Sequence, residues 1–162
     1  MYSQHIRFLS KLPYGTFEIV SLICTGLVAS LVGCAKTEPF QYVQVSGQVC
    51  YEDGTLLPVK TLSLNFHPQV AAKDKNTHPR VGSATVDVRT GTFGSVTSHR
   101  QDDGLVKGKH KVTLHLPGRM PLPSDISSET YSSEESTPLE VDTSTVPFDL
   151  RVAKPTTSSG SK

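Results

Sequence analysis

From residue 42 onward the chain is written in a two-residue rhythm, and this constrains the fold more than anything else in it. Over residues 42–51, Val43, Val45, Gly47, Val49 and Tyr51 fall on one side, and Gln44, Ser46, Gln48 and Cys50 on the other. Successive side chains of an extended strand point to opposite faces, so this alternation describes a half-buried strand. Leu62, Leu64 and Phe66 repeat the pattern against Ser63 and Asn65, and His67-Pro68 ends it, because proline has no N–H for a ladder.

The rhythm continues along the chain. Gly82, Ala84, Val86 and Val88 share a side in a strand over residues 81–88, and the chain returns over residues 92–97 around Phe93. Over residues 110–116, Val112, Leu114 and Leu116 point inward, and Lys111, Thr113 and His115 outward. Strand pattern resumes at residues 139–141 and again over residues 146–152, where Phe148, Leu150 and Val152 share a face. Between these runs stand Asp53-Gly54, Arg89-Thr90-Gly91, Asp102-Asp103-Gly104 and Lys107-Gly108-Lys109, where glycine accepts the positive φ of a tight turn. Gly47, inside a strand, marks a bulge or a close backbone approach. No segment after residue 34 places apolar residues at three- and four-residue spacing over a useful length. Six or seven short strands divided by Gly, Asp and Pro turns predict an all-β antiparallel sandwich. Its core is expected to hold Val49, Leu64, Phe66, Phe93, Val112, Leu114 and Phe148.

Residues 117–138 break the rhythm. They are rich in Pro, Ser, Glu and Thr and poor in apolar residues, so a flexible flap or a binding loop is expected, with the flap as the default. Residues 154–162 form a polar, Ser/Thr-rich tail expected to be disordered.

Ahead of the β-patterned part lies a different kind of sequence. Arg7 and Lys11 precede an uncharged apolar run from Ile19 to Gly33, shorter than the ~20 residues of a permanent spanning helix. A basic head, a short apolar core and a small-residue exit are the marks of a secretory signal; an uncleaved anchor helix is the alternative. Leu31-Val32-Gly33-Cys34 resembles the lipobox of bacterial lipoproteins. That resemblance implies cleavage between Gly33 and Cys34 and acylation (diacylglycerol, palmitate-type chains) of Cys34. Each buried methylene contributes about 0.8 kcal/mol, so several chains together anchor stably. The expected layout is a signal peptide with a signal helix over residues 1–33 and a lipidated cysteine and tether over 34–41. A β-sandwich domain over 42–153, containing the loop 117–138, and the tail 154–162 follow. The corresponding location is the cell envelope, membrane-anchored and facing the periplasm or the cell surface.

Within the domain a second resemblance is legible. Val45-Ser46-Gly47-Gln48-Val49 leading through Asp53-Gly54 to Leu57-Pro58 resembles the opening of carboxypeptidase regulatory-like domains, with Leu56 where that pattern has proline. The stretch from Thr85-Val86-Asp87 to Gly91-Thr92-Phe93 resembles their central turn. Gly108-Lys109-His110-Lys111-Val112 resembles their final element, with His110 in place of the usual tyrosine. Behind a lipobox, and with Tyr131 followed by Pro138, Leu139 and Val141, the set is similar to the small lipoproteins of planctomycete bacteria. The resemblance implies a seven-stranded transthyretin-like (prealbumin-like) sandwich and no activity, since such modules are accessory.

The chemistry-bearing residues are few. Taking Arg7, Lys11 and Glu18 away with the leader leaves equal numbers of basic and acidic residues, so no basic stripe invites nucleic acid. With Cys24 in the leader and Cys34 acylated, Cys50 is the one remaining thiol and is read as a small hydrophobe. His67, His78, His99, His110 and His115 form no short-spaced ligand pair, and His110 and His115 belong to opposite faces of one strand, so no metal site or cofactor is expected. Asp102-Asp103-Gly104 reads as a turn rather than a calcium loop. Glu134 and Glu135 read as solvated charge. The chain has no tryptophan for a sugar platform, which leaves Tyr42 and Tyr131 as possible ligand contacts if they share one exposed face.

The leading expectation is a non-catalytic envelope lipoprotein whose sandwich serves structural or partner contacts. Its partners would be the lipid bilayer through Cys34 and an envelope protein or polysaccharide. The alternative is a ligand-binding module for carbohydrate or a metal ion. No catalytic centre is expected; a buried cluster of two or more of the five histidines with a carboxylate would overturn that.

Overall fold

The computed structural model describes residues 38–155. The signal helix, the cleavage position Gly33, the lipidation candidate Cys34 and nearly all of the polar tail lie outside the described residues. Ten short strands are assigned among the described residues: β1 Tyr42–Val43, β2 Gly47–Tyr51, β3 Leu62–Pro68, β4 Gly82–Val86, β5 Thr92–Phe93, β6 Val96–Thr97, β7 Leu105–Val106, β8 Lys109–His115, β9 Glu140–Asp142 and β10 Phe148–Val152. They form a five-stranded sheet in the order β6-β4-β3-β8-β9, a three-stranded sheet in the order β10-β2-β5, and a β1-β7 ribbon.

The all-β expectation holds, and the two larger sheets share one core. Phe66 of the larger sheet packs against Phe93 and Phe148 of the smaller, with ring centroids 5.7 and 6.2 Å apart. The seven residues expected in the core are all buried. Burying each large apolar side chain contributes about 1.5–3 kcal/mol.

Three expectations about the strands are corrected. The run 42–51 is two strands with different partners: β1 pairs with β7, and β2 pairs with β10 and β5. The run 92–97 likewise divides, β5 joining the smaller sheet and β6 the larger, so exposed Gly94 and Ser95 carry the chain from one layer to the other. The sheets are not purely antiparallel, because β10 runs parallel to β2. Antiparallel neighbours need only a tight turn between them, whereas parallel ones need a long crossover. The chain between β2 and β10 is such a crossover, passing through the whole of the larger sheet.

Gly47 is a close approach rather than a bulge. A Cβ there would lie 2.5 Å from the carbonyl oxygen of Phe148 and 2.9 Å from the Phe93 ring, so only glycine lets β2 sit between β10 and β5. Gly104 combines a φ of +86° with a site where a Cβ would meet the Val43 carbonyl oxygen at 2.1 Å. Its substitution would separate the β1-β7 ribbon from the turn beside it.

Residues 117–138 are not the structureless flap that their composition suggests. They carry a 3-10 turn at Pro117–Arg119 and a short helix, α1, at Ser128–Tyr131, whose N-cap Ser127 accepts from Thr130 N. Leu122, Ile126 and Tyr131 enter the core cluster. Three hydrogen bonds sew the segment to the sheets: Tyr51 Oη donates to the Asp125 carbonyl at 2.9 Å, Ala153 N donates to Tyr131 Oη at 2.8 Å, and Thr137 Oγ1 donates to the Val112 carbonyl at 2.6 Å. Three apolar anchors spaced four and five residues apart have no period that a sequence reading recognises.

Candidate functional site

The outer face of the larger sheet gathers most of the unexplained polar chemistry. β3 and β8 are antiparallel, with Ser63 opposite His115, Asn65 opposite Thr113 and His67 opposite Lys111. All six belong to the outward register. Thr113 lies diagonally across from His67 and two residues before His115 on the same strand face, so His67 leans toward it from one direction and His115 from the other.

The result is a chain of contacts. Glu134 Oε2 lies 3.3 Å from His67 Nδ1. His67 Nε2 is 3.0 Å from Thr113 Oγ1, and His115 Nε2 is 2.8 Å from the same oxygen. A carboxylate only accepts, so the proton on the facing edge of His67 belongs to Nδ1 and the neutral ring presents Nε2 bare to the hydroxyl. Gln69 Nε2 donates to Glu134 Oε1 at 2.9 Å, and Lys111 Nζ donates to the Glu134 carbonyl at 3.1 Å. Thr113 is fully buried, while the side chains of His67 and Glu134 retain 21% and 42% of their exposure. Burial, and then the charge that His67 carries when protonated, hold His115 below the usual imidazole range.

Glu134, His67 and Thr113 stand in the order carboxylate, imidazole, hydroxyl that activates a nucleophile. The hydroxyl, however, is buried and is met on its far side by His115. What the contacts accomplish is attachment: they hold residues 133–137 down on β3 and β8. Two open hollows, of about 280 Å³ beside Lys109, Glu140 and Asp142 and about 480 Å³ beside Gln48, Thr92 and Asp149, lie elsewhere and include none of the three.

The other candidates are dispersed. His110 faces inward and is fully buried, with Nδ1 donating to the Gly108 carbonyl at 3.1 Å and Nε2 without a partner. Burial lowers its pKa. His78 contacts its own loop through the Lys75 carbonyl, and His99 stacks on Tyr42 with ring centroids 6.3 Å apart. Tyr42 is half-buried, and burial is the first cause that raises its pKa. Tyr131 does not share an exposed face with Tyr42: it is only 3% exposed, and its hydroxyl is taken by Ala153 N. The two-tyrosine ligand platform is therefore corrected.

Asp103 serves its turn, accepting from the backbone N–H groups of Ser98, His99 and Arg100 at 2.8, 3.0 and 2.8 Å. Burial alone would raise its pKa, but these three donors bring it below the ordinary carboxylate range. Cys50 is buried, with Arg151 Nη1 3.1 Å from its Sγ and the guanidinium held by Asp149.

Sequence reasoning placed Thr113 and His115 on the outward face and missed their meeting with His67 and Glu134. The expectation of scattered histidines is corrected for that pair. The one available signal was that three polar residues fall on the outward register of two strands; which strands are neighbours is not written locally. Among the described residues no three His, Cys, Asp or Glu side chains converge as a metal centre. Comparison with protein-family models, with curated proteins and with solved structures found no match for this chain.

Proposed function

We propose that the chain is a membrane-anchored envelope lipoprotein whose β-domain is a non-catalytic module for structural or partner contacts. The observation that carries this reading is the apolar run closing on Gly33-Cys34 immediately ahead of the folded part. Among the described residues Phe40 is the first buried side chain, and residues 35–39 separate it from Cys34. At about 3.3–3.6 Å per extended residue, a lipid on Cys34 would keep the domain within roughly 20 Å of the bilayer. Such a module meets partners at the membrane surface, an envelope protein or polysaccharide among them.

The finer fold reading is a transthyretin-like sandwich. Its seven strands would be β2, β3, β4, the β5–β6 corner, β8, β9 and β10, with the β1-β7 ribbon as an addition. In support, the three motif segments fall on β2, on the β4–β5 turn and on β8, and contribute Val49, Val86, Phe93 and Val112 to one core. The absence of turnover is part of the same proposal, supported by the enclosure of the Thr113 hydroxyl.

Intact-mass analysis of the chain made in a bacterial host tests the anchor. The expected result is loss of residues 1–33 and a gain of acyl mass, with Cys34→Ser unprocessed. A mature protein that retains Met1, or a Cys34→Ser protein processed and membrane-bound as before, overturns the proposal.

A further inference from the structure

We propose that Glu134, His67, Thr113 and His115 form a one-proton switch. A single proton taken up at His115 reverses the hydrogen bonds through Thr113, leaves its charge on His67 and tightens residues 133–137 onto β3 and β8. This goes beyond an anchored accessory module, and neither reading depends on the other.

Proton counting sets the starting state. Thr113 Oγ1 lies 3.0 Å from His67 Nε2 and 2.8 Å from His115 Nε2, and its hydroxyl has one proton for the two nitrogens. With the Nδ1–H of His67 on the Glu134 carboxylate, His67 Nε2 is bare and takes the Thr113 proton. His115 must then donate its Nε2–H to Thr113 Oγ1, which leaves its own Nδ1 bare. Every donor in the row points toward Glu134. His67 has no open nitrogen, whereas His115 Nδ1 makes no hydrogen bond among the described residues and is reached by solvent.

A proton that binds His115 Nδ1 travels inward without breaking a contact. His115 passes its Nε2 proton to Thr113 Oγ1, and Thr113 passes its own to His67 Nε2. His67 is now the imidazolium, donating to Thr113 from Nε2 and to Glu134 from Nδ1. His115 is again neutral, carries its proton on Nδ1 and accepts from the Thr113 hydroxyl. One proton has entered, and no hydrogen bond is lost.

The charge rests on His67 because the Glu134 carboxylate stands 3.3 Å from its Nδ1, and the contact becomes an ion pair. Gln69 and Lys111 hold Glu134 in place through its other carboxylate oxygen and its carbonyl. Glu135 lies beside it, within reach of the Lys111 and His67 charges. On the neighbouring strands, β9 brings Glu140, paired with Lys109, and β4 brings Ser83 and Thr85, which carry no charge. A second proton is opposed twice. Both imidazoles would then donate to Thr113 and strand its buried hydroxyl proton, and two cations would stand closer than two hydrogen bonds laid end to end. Burial, and after it the charge on His67, holds His115 below the ordinary imidazole range, in keeping with that order.

The test is a nuclear magnetic resonance titration of the full chain, isotopically labelled at the histidine ring nitrogens, from roughly pH 8 down to pH 4. Two separate steps are expected. In the first, His67 becomes the imidazolium while His115 stays neutral and changes tautomer, from Nε2–H to Nδ1–H. In the second, His115 gains its own charge. Amide exchange over residues 133–137, corrected for the intrinsic effect of pH, should slow about two- to fivefold through the first step and speed up through the second. In Thr113→Val, which keeps the volume and cuts the row, His115 should keep one tautomer while His67 charges. Glu134→Gln should remove the slowing over residues 133–137. A His115 that never changes tautomer in the natural chain, one joint step for both rings, or exchange over residues 133–137 unmoved by the first step would overturn the proposal. The ring signals are read on the unmodified chain, so the outcome does not depend on a variant folding.

Discussion

Phe66 and Thr113 sit almost side by side on the β3–β8 pair, on opposite faces, and both are fully buried. The inner face, with Leu64, Phe66, Val112 and Leu114, is closed by apolar side chains of the other sheet and needs only volume to be filled. The outer face, with His67, Thr113 and His115, is closed by a segment that hydrogen-bonds to it. Apolar burial is non-directional and tolerates reshaping, whereas a buried hydroxyl depends on particular partners at particular distances. The inner face therefore carries most of the stability. The outer face carries the chemistry.

The sharpest way to break this comparison is to truncate one residue on each face. Phe66→Ala should lower the unfolding free energy by about 3–5 kcal/mol in urea denaturation, the usual cost of removing a buried aromatic ring. A near-neutral effect would mean that the two sheets do not meet at Phe66. Thr113→Val keeps the volume and removes the hydroxyl, leaving both imidazoles without that partner. About 1–3 kcal/mol is expected, toward the lower end because solvent reaches His67. Amide exchange should speed up over residues 133–137 more than in the core strands. Equal acceleration everywhere would show that the outer contacts are no separate layer.

Acid separates the faces again, with a smaller effect. His110 belongs to the inner face, and its pKa is lowered from about 6.5 by burial. A base with a depressed folded pKa is protonated more readily in the unfolded chain. The stability it allows is complete above the unfolded value and declines as pH falls below it, by at most about 1.4 kcal/mol per pH unit for one proton. His115 is shifted in the same direction by weaker burial. Urea midpoints compared between pH 7.5 and pH 5 should fall in the natural chain and fall less in His110→Phe. An identical drop in both would place the acid sensitivity on the outer face.

The strands were legible because alternation is a local signal: Leu62, Leu64 and Phe66 state their face without reference to anything distant. Tyr51 and Cys50 show where it becomes ambiguous. They are adjacent and should face opposite ways, yet both are buried, because Arg151 covers the outward thiol from β10. Glu134 was read as solvated charge for a similar reason: nothing around it indicates that His67, far back along the chain, lies beneath it. Tyr131 was offered as an exposed contact because its polar neighbours conceal that its ring enters the core.

What the sequence by itself determined is whatever depends on neighbours along the chain: the β class, the faces of the long strands, the turn glycines and the core residues from Val49 to Phe148. The tertiary structure alone decided which strands are neighbours, that β10 lies parallel to β2, and that two histidines, a threonine and a glutamate meet on one face. The physical reason is range. Strand alternation and positive φ are settled within a few residues, but register and sheet order come from hydrogen bonds and packing between segments far apart in the chain, which no local pattern encodes.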